Sequence, residues 1–173
     1  MGWISPTGFV DSGGTWTSES LAYDEATGTY SYSDLDVIGW SNWIEYTVPA
    51  INCDKVQLWL SRSTGNITED EIEVYYSGGW HNIHSGIITV DQWVEYQIGS
   101  TESVTALRVR MYTDKKSRQC RFCEADFWEV VAGPTPNAYN QIAYTSEPPT
   151  PNAWNQIKQE VGSGWIKINY EGE

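Results

Sequence analysis

Two histidines, His81 and His84, supply all the imidazole in the chain, and they stand three apart in Trp80-His81-Asn82-Ile83-His84. In a β-strand that spacing sends the two rings to opposite faces, so they do not chelate a metal together and read as surface residues. The cysteines offer little more. Cys120-Arg121-Phe122-Cys123 lacks the second Cys or His pair that a structural zinc site needs, and in a strand its two thiols face apart. Cys53 has no local partner, so three buried free thiols are expected. Asp and Glu total 23, and in so acidic a chain a pair of carboxylates nominates no acid–base catalyst. No nucleophile elbow, glycine-rich phosphate loop or His-Glu-x-x-His sequence is present. These residues predict a protein without catalysis.

The formal net charge of -13 opposes binding to nucleic acid or to an anionic membrane over most of the surface. Arg108, Arg110, Lys115, Lys116, Arg118 and Arg121 form a local basic ridge, read as the solvated face of a strand among acidic neighbours. No basic leader followed by an apolar run opens the sequence and no stretch reads as a membrane span, so neither a signal peptide nor a transmembrane segment is expected in this chain. Ten Trp and eleven Tyr against two Met are an inventory suited to pleated surfaces and interfaces.

The elements that must position these residues are strands. From Glu71 to Tyr76 the residues Ile72, Val74 and Tyr76 alternate with Glu71, Glu73 and Tyr75; Ser77-Gly78-Gly79 supplies a turn and Trp80 starts the return, a β-hairpin. Similar alternation covers Trp43 to Val48, ended by Pro49, and then Val56 to Ser61, Trp93 to Ile98, Leu107 to Tyr112 and Phe122 to Val131. Ile83 to Val90 is strand-like, with Gly86 as an expected bulge or turn, and residues 1–34 read as loop with short strands. The fold class predicted is all-β: an antiparallel two-sheet jelly-roll sandwich of about eight strands over residues 1–132, followed by a proline-rich C-terminal extension over 133–173. In that extension Pro-Thr-Pro-Asn-Ala-Tyr-Asn-Gln-Ile at 134–142 recurs at 149–157 with Trp in place of Tyr. Asn152 is placed to cap a short helix from Ala153 to about Val161, and Trp165 to Tyr170 reads as a final strand.

Taken in order, several stretches resemble the galactose-binding-like jelly roll of discoidin domains and carbohydrate-binding modules. They are Ala22-Tyr23-Asp24 through Thr29-Tyr30, Asn42 to Tyr46, the Glu71 to Trp80 hairpin, Ala106 to Arg110 and Phe122 to Val130. The resemblance implies a structural Ca2+ held by the oxygen ligands Asp24, Thr29 and Glu124. It also implies sugar stacking on loop aromatics, for which Trp16, Trp40, Trp80 and Trp93 are candidates with Arg62 and Asn82 as polar partners; the competing reading places those indoles in the core.

The leaderless acidic sandwich with its repeated aromatic tail also resembles bacteriophage tail and appendage proteins. The main reading is therefore a non-enzymatic structural or adhesion component of a phage-like particle or extracellular appendage. Tyr139, Trp154, Trp165, Ile166, Ile168 and Tyr170 form its assembly arm, which joins virion subunits or copies of the same chain. Its alternative is a carbohydrate-binding module that recognises a glycan.

Overall fold

Alternating apolar and polar residues bury one face of a strand and leave the other to solvent, and most of residues 2–131 obey that rule. The structure, a computed structural model, describes residues 2–62 and 67–131, the side chain of Arg62 excepted, and the backbone of 160–161 and 164–165. The chain divides into two compact units, residues 1–133 and 134–173.

The first unit holds β1 (Gly2–Ile4), β2 (Gly8–Val10), β3 (Trp16–Thr17), a 3-10 turn (Glu19–Ala22), β4 (Ser31–Leu35) and β5 (Gly39–Trp40). After these come β6 (Ile44–Arg62), β7 (Ile67–Tyr76), β8 (Gly79–Ile87), β9 (Trp93–Thr113) and β10 (Arg118–Glu129). All pairings are antiparallel in the order β3-β4-β10-β6-β9-β7-β8, with β1 on β10, β2 on β6 and β5 on β9. The fold is the expected all-β sandwich, with ten strands where about eight were read.

The difference lies in the two long strands. Trp43 to Val48 and Val56 to Ser61 belong to one strand, β6, and Trp93 to Ile98 and Leu107 to Tyr112 to another, β9. Pro49 does not end β6. Its missing N–H falls in the gap between the Thr47–Ala106 and Ile51–Val104 pairs, where the ladder is interrupted and no donor is required. The β6–β9 ribbon thus serves both layers. Its first end, Ile44 to Thr47 against Ala106 to Val109, carries β2 and β7; its second, Lys55 to Trp59 against Trp93 to Gln97, carries β10.

Ile44, Tyr46, Leu58, Leu60, Ile72, Leu107, Met111, Phe122 and Phe127 are fully buried between the layers, with Tyr46 packed on Phe122 at 4.9 Å between ring centroids. The turn of the β7–β8 hairpin has both central residues left-handed, Ser77 at φ 50° and Gly78 at φ 81°, the conformation whose twist matches paired strands. Gly86 is an ordinary pair of Asp70. The irregularity falls at Ile83 instead, between the Ile72–His84 and Glu73–Asn82 pairs. Because of that extra residue, His81 opposite Val74 and His84 opposite Ile72 share a face, contrary to simple alternation.

In the second unit, β11 (Glu160–Val161) pairs with β12 (Gly164–Trp165). Residues 160–161, expected to end a helix, are therefore strand, in keeping with the β preference of Val and Trp. The start of that helix, the nine-residue repeat, and Tyr139, Trp154, Ile166, Ile168 and Tyr170 lie outside the described residues.

Candidate functional site

Arginines that alternate along a strand project on one side, and Arg108 and Arg110 of β9 do so on the outward face of the layer built on β7 and β8. The Arg108 guanidinium lies 4.3 Å from the Trp80 ring centroid and 4.4 Å from that of Trp43; Arg110 lies 4.5 Å from Trp43 and 4.8 Å from Trp40. The result is a ladder running Trp80, Arg108, Trp43, Arg110, Trp40. Glu73 and Glu71, opposite the two arginines on β7, each take an arginine Nε–H at 2.6 Å and form an ion pair with its Nη2. Burial raises the carboxyl of Glu45, the β6 neighbour of Arg108, while Arg108 pulls it back.

This ladder engages three of the predicted ligand residues. Trp40 carries Arg110 and packs against Tyr112 at 5.4 Å, and Trp80 carries Arg108 and packs edge-on to Tyr75 at 5.2 Å. Asn82, expected to hold a hydroxyl, donates to Glu71 at 3.2 Å. Trp16 is 5% exposed in the core, its indole N–H on the Asn42 carbonyl at 3.0 Å, so it is corrected from ligand platform to core residue. Arg62 is placed only by its backbone, opposite Cys120. The basic ridge is in part this ladder rather than a solvated face.

Trp93 stands elsewhere. Trp93 of β9, Trp59 of β6 and Glu124 of β10 form one cross-strand row. A bulge between Phe122 and Glu124 shifts the alternation of β10, so that Ala125 and Phe127 keep to the core while Glu124 turns to the outer face. There the loop after the 3-10 turn covers it and leaves it 1% exposed. Trp93 keeps 38% of its surface in solvent, set edge-on to Trp59 at 5.9 Å. Trp3, Ser5, Glu25, Trp93, Glu124 and Asp126 line a cleft of roughly 240 Å³. Sequence reasoning missed Trp3, Ser5, Glu25 and Asp126. Trp3, and Ser5 just after it, reach the cleft because β1 pairs Trp3 with Trp128, a contact that crosses nearly the whole domain and leaves no local pattern.

The three residues that the resemblance assigns to calcium come together at one edge of this cleft. Thr29 Oγ1 donates to the Asp24 carboxylate at 2.8 Å, and the Ala26 amide donates to Asp24 Oδ1 at 3.0 Å and to Glu124 Oε1 at 2.9 Å. Glu25 takes φ 62°, the left-handed conformation at which glycine is usual. Burial, offset by the Ala26 amide and reinforced by Asp24, pushes the Glu124 carboxyl up to about 7. Two carboxylates and a hydroxyl, without nitrogen or sulfur, are the donor types that suit a hard cation such as Ca2+. Among the described residues no group of three or more His, Cys, Asp or Glu side chains is placed to hold a metal ion.

The remaining titratable cluster is internal. Asp70 is fully buried, His84 Nε2 lies 3.2 Å from its Oδ1, and the His84 ring packs on Tyr96 at 4.9 Å. Burial pushes Asp70 up to about 6, against the pull of His84. His81 stacks on Tyr76 at 3.8 Å. Cys53, Cys120 and Cys123 are buried free thiols, all raised by burial. Among the described residues no helix is long and apolar enough to cross a membrane.

No family model matches the chain, and no curated protein matches it by sequence. Solved structures do match in fold. A CBM32 module from a family 31 glycoside hydrolase of Clostridium perfringens aligns with a TM-score of 0.55 at 13% identity, over 72% of this chain and 96% of that one. The CBM32 of AlyQ, solved with 4,5-unsaturated mannuronic acid, aligns with a TM-score of 0.55 at 11% identity, over 75% of this chain and 100% of its own. The C-terminal domain of a chitobiase from Bacteroides fragilis aligns with a TM-score of 0.50 at 16% identity, over 76% and 100%. The galactose-binding-like jelly roll is thus the fold of the first unit.

Proposed function

We propose that residues 2–131 form a non-catalytic glycan-binding domain, with Trp93 as the platform on which a sugar stacks. The observation that carries this reading is that Trp93, 38% exposed, opens onto a cleft with a second indole and several carboxylates in its lining. A flat indole covers the apolar face of a pyranose while carboxylates accept its hydroxyl protons. The fold shared with carbohydrate-binding modules supports the same reading. Glycan targets of this kind favour an extracellular setting.

In the same reading Asp24, Thr29 and Glu124 hold a calcium ion that pins the 24–29 loop to β10 beside the cleft. The ion would neutralise a buried carboxylate and stiffen one edge of the site.

Glycan-array binding of the full chain, compared with Trp93→Ala, tests the proposal. Binding that disappears in a variant that still unfolds cooperatively is expected; binding that survives the substitution refutes the site. Solved structures of the same fold that are carbohydrate-binding modules support this reading over the particle-assembly one, whose arm lies outside the described residues, Trp165 being placed by backbone alone.

A further inference from the structure

A ligand's charge can be read from the polar groups that would have to meet it, and those around the Trp3–Trp93 cleft are one-sided. Ser5, Glu25, Glu124 and Asp126 are its polar lining. The single hydroxyl among them is engaged, since Ser5 Oγ donates to Asp126 Oδ1 at 2.9 Å. Gln57 Nε2 donates to the other Asp126 oxygen, Oδ2, at 2.9 Å. No Lys, Arg, His, Asn or Gln side chain lines the cleft among the described residues. The cation nearest its Trp3 wall, Lys55, lies 5.1 Å from the Trp3 ring and is paired with Glu95 at 2.7 Å.

An acidic ligand would therefore meet carboxylates, a costly mismatch in a partly desolvated site, while an acetylated amine would bring those carboxylates no counter-charge and offer only its carbonyl to the two indole N–H groups. An ammonium group meets the opposite conditions. Carboxylates accept its three protons, and two indoles offer the negative faces that attract a cation. The sugar ring that carries the amine provides the flat surface for Trp93. Calcium on Asp24 and Glu124 leaves Glu25 and Asp126 for this contact.

We infer that the cleft selects glycans bearing free amino groups, de-N-acetylated hexosamines, over neutral, acetylated or acidic ones, with Asp126 and Glu25 holding the ammonium between Trp3 and Trp93. The inference rests on the glycan-binding reading and adds the chemical class of its ligand.

Calorimetric titration of the full chain with a glucosamine hexamer, an N-acetylglucosamine hexamer and a lysine hexamer, in calcium and again in chelator, tests it. The glucosamine hexamer is expected to bind about tenfold or more tightly than either of the others, a difference of one charged contact. Glu25→Gln, at an exposed position, should reduce that preference severalfold without moving the melting temperature, whereas Trp93→Ala should abolish binding. Equal or tighter binding of the acetylated hexamer overturns the inference and leaves the glycan reading intact. Equal binding of the lysine hexamer overturns it as well, by showing that charge suffices without a sugar. Retention of the full preference in Glu25→Gln and Asp126→Asn alike overturns the assignment of the cleft. Failure of every glycan on the array overturns both readings together.

Discussion

Arg108 offers the strictest test of the ladder, because three separate attractions converge on one planar group. Its guanidinium faces Trp43 at 4.4 Å and Trp80 at 4.3 Å, and its Nε–H and Nη2 both address Glu73 Oε2. With side chains 25% and 15% exposed, the ion pair is partly shielded from solvent. Each cation–π contact at such a site contributes about 0.5–1 kcal/mol, and a charge-assisted pair of this shielding about 1 kcal/mol. Arg108→Ala should then destabilise the domain by about 2–3 kcal/mol, roughly 8–12 °C in melting temperature for a domain of this size. Arg108→Lys keeps the charge but loses the planar fork and much of the stacking, so it should still cost about 1 kcal/mol. Urea denaturation followed by tryptophan fluorescence measures both, and a double-mutant cycle with Trp43→Ala should return a coupling of about 0.5–1 kcal/mol. High salt should weaken only the ion-pair share. An Arg108→Ala variant within about 0.5 kcal/mol of the parent, or an Arg108→Lys variant indistinguishable from it, would show that the ladder is an incidental surface arrangement.

The other predictions concern the pH response, the metal and a turn. Burial lifts Asp70 from 3.8 to about 6, so between those values the folded chain holds a proton that the unfolded chain has released. Its contribution to stability is therefore largest in acid and falls as pH rises through that window; Asp70→Asn should remove this slope, and a parent-minus-variant stability that stays flat with pH would refute it. Chelator should lower the melting temperature of calcium-loaded protein, and Asp24→Asn should blunt that response; a melting temperature indifferent to calcium leaves the metal without support. Gly78 sits at φ 81° in the hairpin turn, so Gly78→Val should cost about 1–2 kcal/mol by denaturation, and a neutral outcome would mean that the turn adopts another conformation.

The sandwich was legible in the sequence because alternation is a local signal. Ile72 and Val74 against Glu71 and Glu73, or Leu107 and Val109 against Arg108 and Arg110, sort buried from outward residues without reference to the rest of the chain. What alternation cannot carry is an added residue. The bulges beside Glu124 and at Ile83 each reverse the face taken by the residues after them. The first brings Glu124 under the 24–29 loop; the second sets His81 and His84 on one side. Nor does periodicity tell an indole that opens onto a cleft from one stacked with arginine. Trp40, Trp80 and Trp93 share a residue type, yet two of them are stacked with arginines and one faces a cleft, and only the pairing of β9 with its neighbours separates them. The Trp40-Ser41-Asn42-Trp43 and Arg108-Val109-Arg110 spacings were the available clue to the ladder. The cleft had none, since its walls come from β1 and β9 and its acids from β10 and a loop.

Because β6 and β9 each serve both layers, neither layer can melt while the other stays paired without tearing the ribbon between them. Folding must bring Ile44 to Val109 across about half of the domain's length before either layer has a stable edge, a high-contact-order step that predicts slow, single-phase refolding. The cleft beside Trp93 and the ladder beside Trp43 are then thermodynamically joined although they lie in different layers: amide exchange in the two should share one opening free energy, that of the whole domain.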